Sequence, residues 1–476
     1  MSQLNIDCLN EIFEYLKEEI ITLRSCLLVN RLWSKTSVRI LWRDVQNYST
    51  FNFRTLISCL PNESKEILHE NGIIISTPTL KPPLFNYASF CQEISVDCNI
   101  KKFLKNQQST QYISSQCLND NVFILIQEIY KLFMSQITSL KKLYFKLELP
   151  DVIFTSYPGA KDCLKDLSEL HCHSDISNEF FYQLSQISHN IQTLIIEFDD
   201  DISNGLVELI SVQQNLKHLD ITSFNYINMD LILKKLPNTL VKISLYGEYY
   251  ISLSFISKLI NLRELRLSSH HKENSYDFEE LRYINLPQLQ ILIIPNIFTR
   301  CELLIKFFEN NGNNLKELNI SGNSNNSLNS TIAKFCTNLR KLSIGFKNYK
   351  LETLKIVFNN CQYLESLEIL CGGEYLSEKE VLEAVVKYSH KNFYELILNH
   401  FFYVQSELLP EELESFLIIW KYRNPQKSIS LIIITDNCIY NSLDKNDENI
   451  KIIEKYIKLD VIKIFKIKSF GDDDYN

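Results

Sequence analysis

Asn338-Leu339-Arg340-Lys341-Leu342-Ser343-Ile344 reads NLRKLSI, and the same phrase returns with small changes along most of the chain. NLRELRL is anchored on Leu262, NLKELNI on Leu315, YLESLEI on Leu364, NLKHLDI on Leu216 and NIQTLII on Ile191. Looser copies are anchored on Leu140, Leu167, Leu240, Leu289 and Phe393. A degenerate late copy is expected at SISLIIIT (Ile429), and an early one at CQEISV (Cys91), two periods before Leu140. Successive anchors between Leu140 and Phe393 stand 22 to 29 residues apart. A spacing this regular is the signature of a stacked structural repeat.

In L-x-x-L-x-L the fourth and sixth positions lie on one side of an extended strand, and the fifth and seventh on the other. One such strand cannot bury its apolar side alone, but stacked copies build a continuous parallel sheet over a shared interior. Helical spacing fills the intervals, as in Phe180, Leu184 and Ile187, in Leu206, Leu209 and Ile210, and in LETLKIVFNNC from Leu351 to Cys361. The period and the phrase resemble the leucine-rich repeat family over roughly 330 residues. The resemblance implies an α/β solenoid with parallel strands on the concave side and helices on the convex side. At about 4.8 Å per strand, eleven copies give a concave face on the order of 50 Å long. Cys336 and Cys361 each stand three residues before an anchor, which looks like the cysteine-containing subtype, although most other copies lack the cysteine.

The chain has 476 residues, 45% of them hydrophobic, and a net charge of −8. That length exceeds one ordinary core, and that hydrophobic content excludes wholesale disorder. The negative balance argues against a nucleic-acid partner. Only 10 glycines are present, which disfavours hairpin-rich folds and glycine-loop nucleotide sites. The 13 cysteines are odd in number and form no C-x-x-C pair, as expected of reduced thiols in a cytoplasmic or nuclear protein. No apolar run approaches the roughly 20 residues of a membrane span, and the N-terminus does not read as a secretory signal.

The first 45 residues have a different character. LNIDCLNEIFEYL places Leu9, Ile12, Phe13 and Leu16 on one helical stripe. A second helix is expected over residues 20–29 and a third over 31–44, with Val38, Leu41 and Trp42 on one side. Three short helices carry more large apolar residues than so small a core can hide, and surplus apolar surface marks a binding site. The order of Leu4, Asp7, Leu9, Ile12, Phe13 and Leu16, then Val29 and Trp33, then Leu41 and Trp42, resembles the F-box motif. Asn5 stands where that family has proline. The resemblance implies docking on a Skp-type adaptor and, through it, a cullin/RING ligase. It implies that Leu4, Asn5, Leu9, Ile12, Phe13, Leu16, Val29, Trp33, Leu41 and Trp42 form the adaptor site, with Trp33 and Trp42 holding the helices together.

The organisation expected is an F-box over residues 1–45, a connector with irregular first repeats over 46–136, the repeats over 137–466, and an acidic tail over 467–476. FNFRTLISCLPNESKEIL reads as helix broken at Pro61, and TPTLKPPLFNY as a loop.

Chemistry-bearing patterns are sparse. His171 and His173 flank Cys172, and His270 adjoins His271. A zinc site needs three or four converging ligands, and the repeat register turns Cys172 inward, away from both neighbours. Cys8 and Cys26 are read as core thiols. With no nucleophile elbow, Walker loop or H-E-x-x-H, the chain is expected to be no enzyme, with no cofactor or metal. The F-box resemblance makes it a substrate receptor of a ubiquitin ligase, while a protein-binding scaffold with no ligase role is the alternative. Outward strand positions carry mixed charge, including Glu169, Glu197 and Asp220. His171, His218, Tyr246, Arg266, Asn319 and Lys341 are expected to contribute to an unknown protein target.

Overall fold

The computed structural model describes residues 5–74, 83–95, 103–104, 115–145, 153–199, 202–268, 276–277, 279–295, 301–321, 325–347, 351–400, 408–424, 427–435 and 442–469. Leu4, His270, His271 and the tail from residue 470 lie outside these residues. So does part of the TPTLKPPLFNY stretch. The chain forms two compact units, one of Met1–Thr222 with Leu231–Thr239 and the other of Ser223–Asp230 with Leu240–Asn476.

The first unit opens with α1 (Ile6–Glu14), α2 (Ile20–Cys26) and α3 (Arg31–Leu41). Asn30 caps α3, its side-chain oxygen accepting from the backbone N–H of Leu32 and Trp33 at 2.9 and 3.0 Å. Two further helices, α4 (Thr50–Ser58) and α5 (Asn62–Glu70), flank Pro61. Strands β1 (Glu93–Ser95), β2 (Lys142–Phe145), β3 (Glu169–His173), β4 (Thr193–Phe198) and β5 (His218–Asn228, of which the residues from Ser223 belong to the second unit) then follow in order, neighbour beside neighbour. β1 pairs directly with β2, Glu93 opposite Lys142, so no repeat strand separates Cys91 from Leu140. That long interval contains the 22-residue helix Ser115–Gln136 instead.

In the second unit β6 (Lys242–Ser252), β7 (Glu264–Ser268), β9 (Ile291–Ile293), β10 (Glu317–Asn319), β11 (Lys341–Gly345), β12 (Ser366–Leu370), β13 (Glu395–Asn399), β14 (Ile429–Thr435) and β15 (Ile462–Ser469) lie in parallel succession, with the short β8 (Tyr276–Asp277) beside β6. Gly247 adopts φ +115° within β6, and a Cβ there would stand 1.8 Å from the Ser223 carbonyl oxygen, so only glycine fits.

One hydrogen-bond device recurs at most turns of the repeat among the described residues. The carbonyl just after the anchor accepts from two consecutive N–H groups of the next turn. Lys141 and Lys142 donate to the Gln92 oxygen at 2.9 and 3.0 Å, and Ser168 and Glu169 donate to that of Lys141 at 2.9 and 3.0 Å. In the second unit Arg263 and Glu264 donate to Val241 at 2.8 and 3.0 Å, and Arg340 and Lys341 to Lys316 at 2.7 and 3.0 Å. The device begins before β1. Gln92 and Glu93 donate to the Arg43 oxygen at 2.8 and 3.0 Å, and Asp44 forms a parallel bridge with Glu93. Trp42 thus takes the anchor position of a turn that precedes the first strand, and Val45, fully buried, takes the core position three residues on.

Alternation along the strands follows the phrase. In β3 Leu170 and Cys172 are buried while Glu169, His171 and His173 are half-buried on the other side. In β14 even the outward residues Ser430 and Ile432 are covered, so that strand is buried on both faces. The interior also needs polar closure where each helix returns to its strand. Three residues before the anchor, Cys361 Sγ donates to the Cys336 oxygen at 3.5 Å. Burial pushes the Cys361 thiol up to about 12, so it acts as a neutral donor. Ser188 Oγ donates to the Leu164 oxygen at 2.8 Å, and Gln213 Nε2 to the Ser188 oxygen at 2.8 Å, from the same position. Asn311, four residues before its anchor, bonds Ile284 and Leu286 in a similar way. What the site requires is a compact buried donor, not a cysteine, and this is why most copies lack the thiol.

Candidate functional site: the exposed helical head and the strand face

The head has a small core of its own. Leu9, Phe13, Leu23 and Cys26 are buried together, with Leu16, Leu32, Trp33, Ile40 and Leu41 partly buried against them. Phe13 and Trp33 meet edge to face at 5.2 Å. Leu9 and Phe13 are therefore interior residues, and the expectation that they offer surface to an adaptor is corrected: each is only 1% exposed. Trp42 is also buried, but outside this cluster. It packs on Tyr48 and Tyr87 with ring centroids 4.9 and 4.4 Å away, and the Tyr48 hydroxyl donates to its carbonyl at 2.9 Å. Its role is to join the head to the strands, not to bind the three helices to one another. Asn5, exposed, stands at the N-cap of α1, its side chain facing the Asp7 N–H at 3.5 Å. Cys8 is exposed and only Cys26 is a core thiol, because Cys8 lies off the stripe that Leu9 and Phe13 define.

The head's surface is apolar to an unusual degree. Ile12 is 47% exposed, Tyr15 86%, Ile21 81%, Leu28 89% and Val29 56%. Ile6 and Phe51 are exposed as well. Of these, Ile12 and Val29 belong to the motif read from the sequence, whereas Tyr15, Ile21, Leu28 and Phe51 do not. The signal for Leu28 lies in Leu27-Leu28-Val29, three successive apolar residues in the turn after α2 that cannot all face one core. Beside these residues a groove of about 250 Å³ runs between α2, the end of α3 and α4, floored by Leu23 and Trp42 and rimmed by Lys17, Arg24 and Phe51.

Arg43 ties α1 to the closing segment, its two terminal nitrogens donating to Glu14 at 2.8 and 2.5 Å. This paired hydrogen bond holds the Glu14 carboxyl below its ordinary range. Burial pushes the neighbouring Asp44 carboxyl up, against a hydrogen bond from the Gln46 N–H.

On the strand face of the first unit the outward residues form a hydrogen-bonded row. His171 Nε2 lies 3.1 Å from one oxygen of Glu197 and His173 Nε2 2.9 Å from the other, while His173 Nδ1 lies 3.1 Å from Asp199. The Tyr144 hydroxyl donates to Glu169 at 3.0 Å, and burial together with that carboxylate pushes the phenol well up. His218 faces Thr193 at 3.4 Å. Cys172 is fully buried behind the row, and among the described residues no three His, Cys, Asp or Glu side chains are arranged to hold a metal ion.

In the second unit Lys242 and Arg266 converge on Glu264, at 3.1 and 2.5 Å. Burial raises the Glu264 carboxyl, but the two cations outweigh it and leave it below the ordinary value. Tyr246 adjoins Arg266 in the same cluster. Asn319 is turned back on its own chain, accepting from the Ser321 N–H at 3.0 Å, and Lys341 is exposed, 3.9 Å from Glu317. The six expected target residues thus fall into separate groups: His171 and His218 on the first unit, and Tyr246 with Arg266, Asn319 and Lys341 on the second. Among the described residues no helix is long and apolar enough to cross a membrane.

No protein-family model matches the chain, and no curated protein matches it. Several solved structures are similar to it at low identity. The complex of yeast Rad7 and Elc1 contains a chain 14% identical, with 92% of this chain and 95% of that one covered at a TM-score of 0.43. A Leptospira interrogans LRR protein is 17% identical over 72% of this chain and 74% of its own, at 0.36. In the mouse RP105/MD-1 complex the likeness is 15% identity over 69% of this chain and 50% of that chain, at 0.37.

Proposed function

We propose that this protein is the substrate receptor of a Skp-cullin-F-box ubiquitin ligase. The helical head binds a Skp-type adaptor, and the outward strand faces hold a target protein. The observation that carries it is the concentration of exposed large apolar residues on the head, from Ile6 to Phe51, on helices whose sequence follows the F-box order. Such residues in water are costly unless a partner covers them. No catalytic group of its own is needed, because a receptor works by raising the concentration of its target beside a charged ubiquitin carrier.

The test is binding of the full chain to a purified Skp-type adaptor. Ile12→Asp and Val29→Asp are the variants to use, since both positions are exposed and the fold should persist. Loss of adaptor binding by at least a hundredfold at an unchanged melting temperature is the expected result. Leu9→Asp would be uninformative, because a charge at that buried position unfolds the head. No adaptor binding by the unaltered chain at micromolar concentration would remove the ligase reading.

A second reading is favoured by one specific observation. The segment that closes the F-box order also opens the strand ladder through the Arg43 carbonyl and the buried Val45. A head that serves as the terminal cap of a binding scaffold requires this and nothing more. Target levels that do not respond to cullin inhibition would support the scaffold.

A further inference from the structure

The residue just before each strand of the second unit stands on one edge of the sheet, where the chain returns from helix to strand. Before β7, β9, β10, β11 and β12, which pair in register, that residue is Arg263, Gln290, Lys316, Arg340 and Glu365 in turn. The row therefore carries three cations and a single carboxylate, and all three cations are exposed. Lys316 Nζ turns back to the Gln290 side-chain oxygen at 2.9 Å, whereas Arg340 turns forward to Glu365 at 3.2 Å. The two neighbouring cations are thus drawn apart, as like charges at one level of adjacent strands repel. Among the described residues Arg263 forms no ion pair. The nearest strand carboxylates are engaged elsewhere, Glu264 by Lys242 and Arg266 and Glu317 by Lys341.

A cleft of about 350 Å³ opens on this edge, lined by Lys316 and Arg340 together with Gln288, Gln290, Asn314 and Tyr363, and no acidic side chain lines it. The amides of Gln288 and Asn314 and the Tyr363 hydroxyl are exposed and make no side-chain hydrogen bond among the described residues. Positive charge, idle amides and one aromatic ring therefore share a concave surface. The cation row from Arg263 to Arg340 covers three strand steps, about 15 Å at about 4.8 Å per step, which is more than one small anion can bridge. A lone tyrosine gives successive nucleobases nothing to stack on. Amides suit the N–H and C=O groups of an extended main chain. We infer that the cleft binds an acidic segment of a partner protein, laid across the turns before β9, β10 and β11. Its carboxylates sit between Lys316 and Arg340 and reach toward Arg263. Gln288 and Asn314 hydrogen-bond its main chain, and the Tyr363 ring packs against it. This site lies apart from the helical head and does not depend on an adaptor being bound there.

The experiment uses the full chain and a fluorescent peptide of six glutamates, with peptides of six glutamines and six lysines as controls. The expected result is saturable binding of the glutamate peptide alone, weakened about tenfold by Lys316→Ala with Arg340→Ala. Both positions are exposed, so the melting temperature should not change. Gln288→Ala with Asn314→Ala should weaken binding about threefold through the lost main-chain hydrogen bonds. Lys451→Ala with Lys458→Ala, at two exposed lysines on the helix Asp447–Lys458, should leave it unchanged. Ile12→Asp should leave it unchanged as well, which keeps this site distinguishable from the adaptor surface. Absence of binding, indifference to the Lys316 and Arg340 substitutions, or an equal loss from Lys451 and Lys458 would each overturn the proposal. Displacement of the peptide by an equal concentration of inorganic phosphate, or of a six-nucleotide DNA strand, would assign the cleft to a small anion or to nucleic acid and overturn it equally.

Discussion

Among the described residues the core row is covered before the first strand and partly exposed at the last. Before β1, Trp42 and Val45 occupy the positions a repeat turn would supply, and Tyr48 and Tyr87 lie against the indole. At β15 the equivalent core row, Phe465 and Ile467, keeps part of its area in water. A stacked repeat makes the same demand at both ends, since each turn contacts only its neighbours. The difference lies in what the sequence offers there. The N-terminal side provides a tryptophan backed by a three-helix head, while β15 itself alternates isoleucine with lysine. The first strand is backed by a helical head, whereas β15 carries lysines among its apolar residues, a composition that disfavours pairing with a second copy of itself.

The largest effect should come from the closed end. Trp42→Ala removes an aromatic side chain buried between the head and the strands, and should cost about 3–5 kcal/mol in chemical denaturation. Phe465→Ala in β15 should cost only about 1 kcal/mol, because that ring is only half-buried in the native state. Equal losses at the two positions would break the contrast.

An interior turn gives the scale between these extremes. Gln213 accepts from the Ile191 N–H at 2.9 Å and donates to the Ser188 and Leu209 carbonyls at 2.8 and 2.9 Å. Gln213→Ala strands those backbone groups in a dry interior and should cost about 2 kcal/mol. Cys361→Ser keeps a compact donor in the corresponding position and should fall within about 1 kcal/mol of the unaltered chain. A larger loss for Cys361→Ser than for Gln213→Ala would show that the thiol itself, and not its hydrogen bond, is what the turn needs.

This graded picture was only partly legible in the sequence. The repeats were, because alternation in a strand writes burial directly into the residue order: Leu170, Cys172, Leu265 and Leu267 face the core as the phrase requires. The outward set that includes His171 and Arg266 follows from the same alternation. The turn that begins at Trp42 was hidden, because its W-R-D-V carries no leucine and lies at the end of a stretch read as helix. β15 was hidden for a similar reason, as I-K-I-F-K-I-K-S contains none of the phrase's leucines. Period alone could not tell two short repeats from one long excursion between Cys91 and Leu140. In the head, a helical stripe marks which residues share a face but not which face is turned inward. Leu9 and Phe13 point in while Ile12 points out, although all three belong to one apolar stripe.

The smallest effect tests how the closed end is fastened. Arg43 pulls the Glu14 carboxyl below its ordinary value, so the unfolded chain binds that proton more readily than the folded one. The stabilisation is present above the unfolded pKa of about 4.3 and is lost as pH falls through the depressed folded value. Glu14 is close to half exposed, so solvent screening limits the pair to about 0.5–1 kcal/mol. Glu14→Gln should therefore destabilise the chain by that amount at pH 7 and cost progressively less as the solution is acidified below about pH 4. Asp44 works in the opposite sense. Burial raises its carboxyl in the folded state, so its protonation favours folding as pH falls through the raised value. Asp44→Asn should accordingly gain stability at pH 7 relative to its effect at pH 3. Denaturation of both variants across this range separates the two, and a Glu14→Gln cost that grows with acidity would show that the Arg43 clamp does not hold the head against the first strand.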